Sequence, residues 1–165
     1  MIWLKHLFYK AAGKLIVKRY FSRQQIAAIE SRIRSSESSH MGEIRVVIES
    51  GLPVNYWSRG ARARAEDLFS LLRVWDTEEN SGVMIYILLS SHQLELLADR
   101  GIFYKAGADL WQELLDRLSG EIYRGTLLSE ALGRILDEIT EVLSEYYPAA
   151  SGDQNELPDH PVIIA

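Results

Sequence analysis

Oxygen-bearing side chains crowd one short stretch of this chain. The polar segment between residues 73 and 83 carries Asp76, Thr77, Glu78 and Asn80, and Asp99 follows a later apolar run. Carboxylate, hydroxyl and amide oxygens are the donors that hard cations such as Ca²⁺ take, six to eight at a time. Carboxylates that are brought together repel one another, and a bound cation would neutralise them. A calcium-type metal site is the first chemistry that these residues suggest.

Arginines near the same segment offer a second source of positive charge. Arg73 and Arg100 flank it, and Arg62 and Arg64 lie on the helix predicted just before it. Ion pairs with these guanidinium groups, together with turn and helix capping by Asp76 and its neighbours, would satisfy the carboxylates without a metal. The sequence leaves metal binding and arginine pairing open as alternatives.

Hydrolysis is the catalytic chemistry that such a site could support. A metal held by Asp76 and Asp99 would polarise a phosphoryl oxygen and activate water. The chain has no cysteine, no P-loop and no pattern of a catalytic nucleophile, and its four histidines fall outside the predicted acidic site. We therefore assign no catalytic residue and favour a non-enzymatic protein, with a phosphatase-like hydrolase as the alternative.

Hydrophobic patterns predict the strands that position these residues. β-branched residues fill 43–49, and residues 83–90 are apolar on both alternating faces, as in a strand that is buried on both sides. Residues 93–99 return as an antiparallel partner after a turn at Ser91-His92. A strand that is buried on both faces needs helices on each side of the sheet.

Helical periodicity supplies those helices. The first begins at Ser22, which forms a capping box with Gln25, and three more cover the apolar positions of 61–72, 110–118 and 128–143. The predicted fold class is α/β, a three-layer α/β/α sandwich around a small mixed central sheet.

This topology predicts that distant carboxylates meet. Strands 43–49 and 83–90 form a right-handed parallel crossover and begin at one edge of the sheet, where their antiparallel partner ends. Glu43 therefore joins the loop residues and Asp99 as a predicted metal ligand. The opposite edge is a competing location, because open α/β sheets bind ligands beyond the carboxyl ends of parallel strands. Its polar residues are Ser50, Asn55, Tyr56, Ser90 and His92.

The two ends of the chain differ from the central domain, which we place at residues 22–147. Residues 1–21 have a basic amphipathic pattern, and residues 2–21 either pack on the domain or lie on an anionic membrane surface. The tail of residues 148–165 holds three prolines and no periodicity. We predict that it is extended and anchored by the apolar Val162-Ile163-Ile164.

Charge and hydropathy limit the partners and the location. The 165 residues carry a formal net charge of −5, although residues 1–24 contain six Lys or Arg and no acid. An acidic body argues against nucleic-acid binding. No apolar run reaches the roughly 20 residues of a membrane span, and lysines interrupt the region that a signal peptide would need. We expect a cytoplasmic location, either free or peripheral to the membrane, and a protein partner is left unidentified.

Seven short motifs lie between residues 42 and 111. They are Gly42-Glu43-Ile44-Arg45, Arg62-Ala63-Arg64-Ala65, Phe69, Arg73-Val74-Trp75-Asp76-Thr77, Asn80-Ser81-Gly82-Val83-Met84-Ile85-Tyr86, Ala98-Asp99-Arg100-Gly101-Ile102 and Trp111. Together they resemble the TPM domain family from about residue 21 to 164, and residues 153–159 resemble the close of a bacterial single-domain subgroup. The resemblance implies an α/β/α fold, calcium binding in some members and acid phosphatase activity in a plant member. It also implies an acidic site at the Asp76 loop and Asp99.

These observations predict a TPM-like binding or regulatory module without enzymatic activity, with a divalent cation such as calcium at the acidic edge. A metal-dependent, acid-phosphatase-like hydrolase of phosphate monoesters is one alternative. A peripheral membrane accessory protein is the other.

Overall fold

Four strands form the central sheet of the computed structural model, which describes residues 12–151 and 155–165. They are β1 (Ile44–Glu49), β2 (Val83–Leu88), β3 (Gln93–Ala98) and β4 (Val162–Ile164), in the order β3-β2-β1-β4. β1 pairs in parallel with β2 and with β4, whereas β2 and β3 are antiparallel. The small mixed sheet that the sequence predicted is confirmed.

Helices cover both faces of this sheet. They are α1 (residues 12–20), α2 (Arg23–Glu37), α3 (Gly60–Leu71), α4 (Arg100–Ala106), α5 (Ala108–Tyr123) and α6 (Leu128–Tyr146), with a short 3₁₀ turn at Val54–Tyr56. The predicted capping box is present at the start of α2, where Ser22 and Gln25 each accept a hydrogen bond from the backbone of the other. These reciprocal bonds satisfy two donors that the first helical turn leaves unpaired.

Alternation along the strands divides the core between two layers. Ile44, Val46 and Ile48 of β1 pack with residues of α2, α5 and α6 on one face. Val47 packs on the other face with Ala61 and other residues of α3. Because successive strand residues point to opposite faces, a strand covered on both sides must be apolar throughout, as β1 and β2 largely are. The three-layer α/β/α architecture is confirmed.

The structure adds a helix and a strand that the sequence patterns did not predict. α4 follows β3 directly, where the sequence suggested only the end of a strand. β4 makes the apolar anchor of the tail a fourth strand, in register with Val47 to Glu49 of β1. The connection between β2 and β3 is also longer than the predicted two-residue turn, because four residues separate the strands. His92 takes a positive φ of 53° there.

The described part of the basic N-terminal segment packs against the domain. Val17 and Phe21 are buried in the core, while Leu15 is 68% exposed. The predicted membrane-facing residues before position 12 lie outside the described part of the chain. Among residues 12–151 and 155–165, no helix is long and apolar enough to cross a membrane.

Candidate functional site

The strand order brings the backbone of the predicted acidic segments to one edge of the sheet. Val83 N donates a hydrogen bond to the Glu43 carbonyl at 2.8 Å, and Asp99 N donates to the Gly82 carbonyl at 2.8 Å. The segments run side by side because β1 and β2 begin at this edge and β3 ends there. The side chains, however, take separate partners.

Asp76 pairs with an arginine three residues before it. Arg73 Nη2 donates to Asp76 Oδ2, and the two side chains are 72% and 38% exposed. Arg73 has a positive φ of 56°, which turns the chain after α3. Asp76 thus shows the arginine pairing that the sequence left open as an alternative to a metal, at an exposed position where such a pair stabilises little.

Thr77 and Asn80 use their oxygens to shape the loop. Thr77 Oγ1 accepts a hydrogen bond from Ser81 N at 3.0 Å, and the Thr77 carbonyl accepts one from Asn80 N at 3.2 Å. Asn80 has a positive φ of 52°, which asparagine tolerates better than most residues. Its Oδ1 accepts from Arg100 Nε at 3.1 Å. These bonds close a turn and tie it to the start of α4.

The C-terminal segment engages two more of the predicted residues. Glu78 N donates to both carboxylate oxygens of Glu156, at 3.1 and 3.2 Å. The Glu43 carboxylate, only 4% exposed, accepts from the backbone nitrogens of Glu156 at 2.8 Å and Leu157 at 3.2 Å. Glu43 thus binds the tail backbone through both of its oxygens.

Asp99 differs from the other predicted ligands. It caps α4, and its Oδ1 accepts from Arg100 N at 2.7 Å. Its residue is 8% exposed, and within the described residues no donor reaches the buried Oδ2 atom. A buried carboxylate oxygen without a partner costs about 1–3 kcal/mol or more. Of the six predicted ligands, Asp99 is therefore the one whose surroundings fit a cation.

Neutral oxygens crowd the same helix start. A Cβ atom placed on Gly101 would lie 2.5 Å from the Asn80 carbonyl oxygen, 2.8 Å from that of Glu79 and 2.7 Å from Tyr147 Oη. Only glycine permits this close approach of the loop to the first turn of α4. Carbonyl and hydroxyl oxygens are also ligands that calcium accepts.

The six predicted ligands do not form one cluster of carboxylates. Within the described ranges, no three His, Cys, Asp or Glu side chains group closely enough to hold a metal ion. The side chains of Asp76 and Glu43 are engaged as described above, while Glu78 contributes a backbone N–H. A cation at Asp99 would rest on one carboxylate and neutral oxygens, and a donor set of such low charge binds calcium weakly.

Two carboxyl groups, Glu37 and Asp159, lie close together at the tail, and the sequence patterns did not reveal this pair. Asn155 Nδ2 donates both to Glu37 Oε2 at 3.1 Å and to Asp159 Oδ1 at 2.5 Å. Burial, followed by the charges of Glu43 and Asp159, raises the pKa of Glu37 to about 8. Glu37 ends a helix and Asp159 lies in the tail, so no local spacing connects them. The sequence alone offers no signal that would pair them.

The competing edge of the sheet holds polar pairs of its own. Tyr20 Oη lies 2.8 Å from His92 Nε2, and Tyr56 Oη donates to Asp67 Oδ2 at 2.8 Å. Tyr20 and His92 border a cavity of about 50 Å³ whose other lining residues are aliphatic. Two of the residues predicted for this edge, Tyr56 and His92, are thus engaged by neighbouring side chains.

Comparison with known proteins agrees with this architecture. The NMR structure of the BA42 protein from the psychrophilic bacterium Bizionia argentinensis is similar with a TM-score of 0.77, covering 87% of this chain and 95% of that one. The two are 24% identical in sequence, so this likeness shows the fold. No curated protein matches the chain. The TPM domain model matches residues 17–142, which include the acidic loop and Asp99, and the chain therefore belongs to the TPM domain family.

Proposed function

We propose that this protein is a non-enzymatic binding or regulatory module that takes a divalent cation at Asp99. One observation carries the proposal: Asp99 Oδ2 is buried and receives no hydrogen bond from the described residues. A cation would supply the missing partner. It would also lower the electrostatic cost of placing a carboxylate at a site that is 8% exposed.

The neutral oxygens that lie close to Gly101, two residues after Asp99, favour calcium over magnesium. Glu79 and Asn80 offer backbone carbonyls beside the first turn of α4, and Tyr147 offers a hydroxyl. Calcium accepts such mixed and irregular oxygen sets, whereas magnesium demands near-octahedral geometry. When bound, the ion would supply positive charge that holds the loop against α4. The side chains of Thr77, Asn80 and Asp99 already make turn and cap bonds there, which suits binding and positioning more than turnover.

Calorimetric titration with calcium tests this proposal. Asp99→Asn removes the charge and keeps a residue that caps helices well. Asp109→Asn makes the same change in the first turn of α5 at an exposed position and serves as the matched control. We expect millimolar binding in the parent and in the control. At about ten times Kd, calcium should stabilise both by about 1.4 kcal/mol and raise Tm by about 3–6 °C.

Loss of the heat and of the Tm increase in Asp99→Asn alone would support the site. The absence of heat and of a rise in melting temperature at millimolar calcium would contradict the proposed site, as would equal calcium binding by Asp99→Asn.

An assay of turnover of a generic phosphate monoester by the parent, Asp76→Asn and Asp99→Asn tests the hydrolase alternative. Turnover that disappears in both Asp76→Asn and Asp99→Asn would favour hydrolysis, and turnover that survives both would exclude it at this site.

A further inference from the structure

Ionisable side chains hold the C-terminal segment of residues 155–165, here called the strap. Arg34 Nε of α2 donates to Asp159 Oδ2 at 2.8 Å. His160 Nδ1 lies 2.7 Å from Glu30 Oε2, one helical turn before Arg34. Asp159 is nearly buried, with a side chain that is 7% exposed. Ionisable side chains thus attach the strap to α2 at two positions.

β1 holds the strap from the other side. Arg45 donates to the carbonyls of Pro158 and His160, the latter at 3.0 Å. β4 pairs in parallel with β1, and Ser50 N donates to the Ile164 carbonyl at 2.8 Å. Leu157 supplies an apolar anchor beneath the strap. Several backbone hydrogen bonds therefore form only when the strap is closed, and each can be monitored separately.

Two carboxyl groups meet where the strap crosses the end of α2. One amide nitrogen, Asn155 Nδ2, donates to both Glu37 and Asp159. Glu37 Oε1 is buried, and within the described residues it has no hydrogen-bond partner. Two ionised carboxylates that share one amide donor would repel each other where little water reaches them, so one of the two favours its neutral form.

The charged groups around Glu37 identify which carboxyl keeps the proton. Asp159 Oδ2 accepts a hydrogen bond from the Arg34 guanidinium, so a cation already lies beside this carboxyl group. Glu37 faces Glu43 and Asp159, Arg45 of β1 lies close enough to interact electrostatically with it, and Arg34 and His40 line the same cleft of about 370 Å³. Burial is the largest of the effects that raise the pKa of Glu37 to about 8, followed by the charges of Glu43 and Asp159. The raised pKa therefore favours the neutral form of Glu37 at pH 7 in the closed structure.

We propose that a proton on Glu37, shared with Asp159, fastens the strap to α2 and β1, and that loss of this proton loosens the strap. In an open strap Glu37 would be less buried and would lose the nearby charge of Asp159, so its pKa would move back toward the ordinary value of 4.5. The closed form therefore binds the proton more tightly. The contribution of this proton to closure is fully present below about pH 4.5, declines as pH rises toward 8, and is lost above that range.

Opening would change what the acidic edge offers to a partner. It would release the Glu43 carboxylate from the backbone of Glu156 and Leu157, and the Glu78 N–H from the Glu156 carboxylate. It would also uncover the edge of β1, to which an extended peptide could add as a strand. The inference concerns Glu37 and the strap alone, so it stands or falls independently of a cation at Asp99.

Amide hydrogen exchange of the full-length protein, followed by NMR from pH 5 to 9, tests the proposal. The reporters are the amides of Ser50, Glu156 and Leu157, each corrected for its intrinsic exchange rate, with the Leu89 amide within the sheet as internal reference. We expect the opening constant of the strap to rise by up to about tenfold per pH unit between pH 5 and 8 and then to level. The Glu37 carboxyl resonance should titrate near pH 8.

Glu37→Gln separates the proton from every other contact, because glutamine mimics the neutral acid and donates to Asp159 at all pH values. It leaves His160 and Glu30 intact, so any pH dependence from that pair persists in the variant. In Glu37→Gln, we expect the opening constant of the strap to lose most of its dependence on pH. The exposed substitution Glu145→Gln should behave like the parent. A flat profile in the parent, a Glu37 carboxyl that titrates near pH 4.5, or a parental slope in Glu37→Gln would overturn the proposal.

Discussion

Asp76 and Asp99 are the same residue type in the same predicted site, and their surroundings separate them. Asp76 is exposed and pairs with Arg73, whereas Asp99 is buried and caps α4 with one oxygen. Residue types and strand order were enough to predict that both come to one edge. Which partner each side chain takes depends on local backbone geometry, such as the positive φ of Arg73, that hydrophobic patterns do not encode.

Gly101 is the residue on which the close approach of loop and helix depends. Gly101→Ala would place a methyl group within 3 Å of the backbone carbonyl oxygens of Asn80 and Glu79. Alanine normally stabilises a helix relative to glycine, but this overlap should instead destabilise the fold by about 1–3 kcal/mol. Urea unfolding gives the value. Gly51→Ala is the control, because its nearest neighbour, Ser90, lies 3.8 Å away. A Gly101→Ala protein as stable as the parent would contradict the packing described.

Elements with strong local signals were predicted, and elements that depend on distant contacts were missed. The capping box at Ser22 is a local pattern, and α2 begins where it indicated. α4 spans seven residues and includes a glycine, so its periodicity is too short to detect. β4 has three residues and follows a proline-rich stretch, and only pairing with β1 makes it a strand. The carboxyl pair of Glu37 and Asp159 was missed for the same reason.

A buried ion pair joins α3 to the sheet, so we expect replacement of its arginine to lower the stability of the fold strongly. Arg64 donates twice to Glu49, at 3.0 and 2.9 Å, and Tyr86 donates to the same carboxylate at 2.7 Å. Arg64→Met would leave Glu49, whose side chain is 1% exposed, without a counter-charge and should cost about 3–5 kcal/mol. Arg62→Met removes an exposed pair with Glu66 and two longer contacts to β3, at 3.5 Å to Glu95 and 3.4 Å to the Leu96 carbonyl, and should cost about 1 kcal/mol. Equal losses in chemical denaturation would disprove this assignment.

At the scale of the whole molecule, both ends of the described chain pack against the central α/β domain. α1 contributes Val17 to one core layer, and the strap contributes Leu157 to the other. Gly13 lies against Ala165, where a Cβ would approach its carbonyl carbon to 2.7 Å. The predicted division into an N-terminal segment, a domain and a tail describes composition, whereas packing joins all three where they are described.

The strap also makes the stability of the whole molecule depend on pH. The folded state raises the pKa of Glu37 from 4.5 to about 8, so it binds this proton more tightly than the unfolded chain does. The resulting stabilisation is fully present below about pH 4.5 and is lost as pH rises through 8. The free energy of unfolding of the parent, relative to Glu37→Gln, should therefore fall from pH 5 to pH 9. Urea titrations at several pH values measure it, and a constant difference would argue against the raised pKa.

The position of β4 in the sheet has a consequence for synthesis on the ribosome. β1 is the first strand to emerge, yet one of its two neighbours is the last described element to be made. Until then the outer edge of β1 has unpaired backbone groups, which in a nascent chain invite pairing with other molecules. Arg45 and Glu49 place inward-facing charges on this otherwise apolar strand, a feature that discourages such pairing. We therefore expect the residues that hold the strap and α3 in the finished protein to reduce aggregation of the unfinished chain as well.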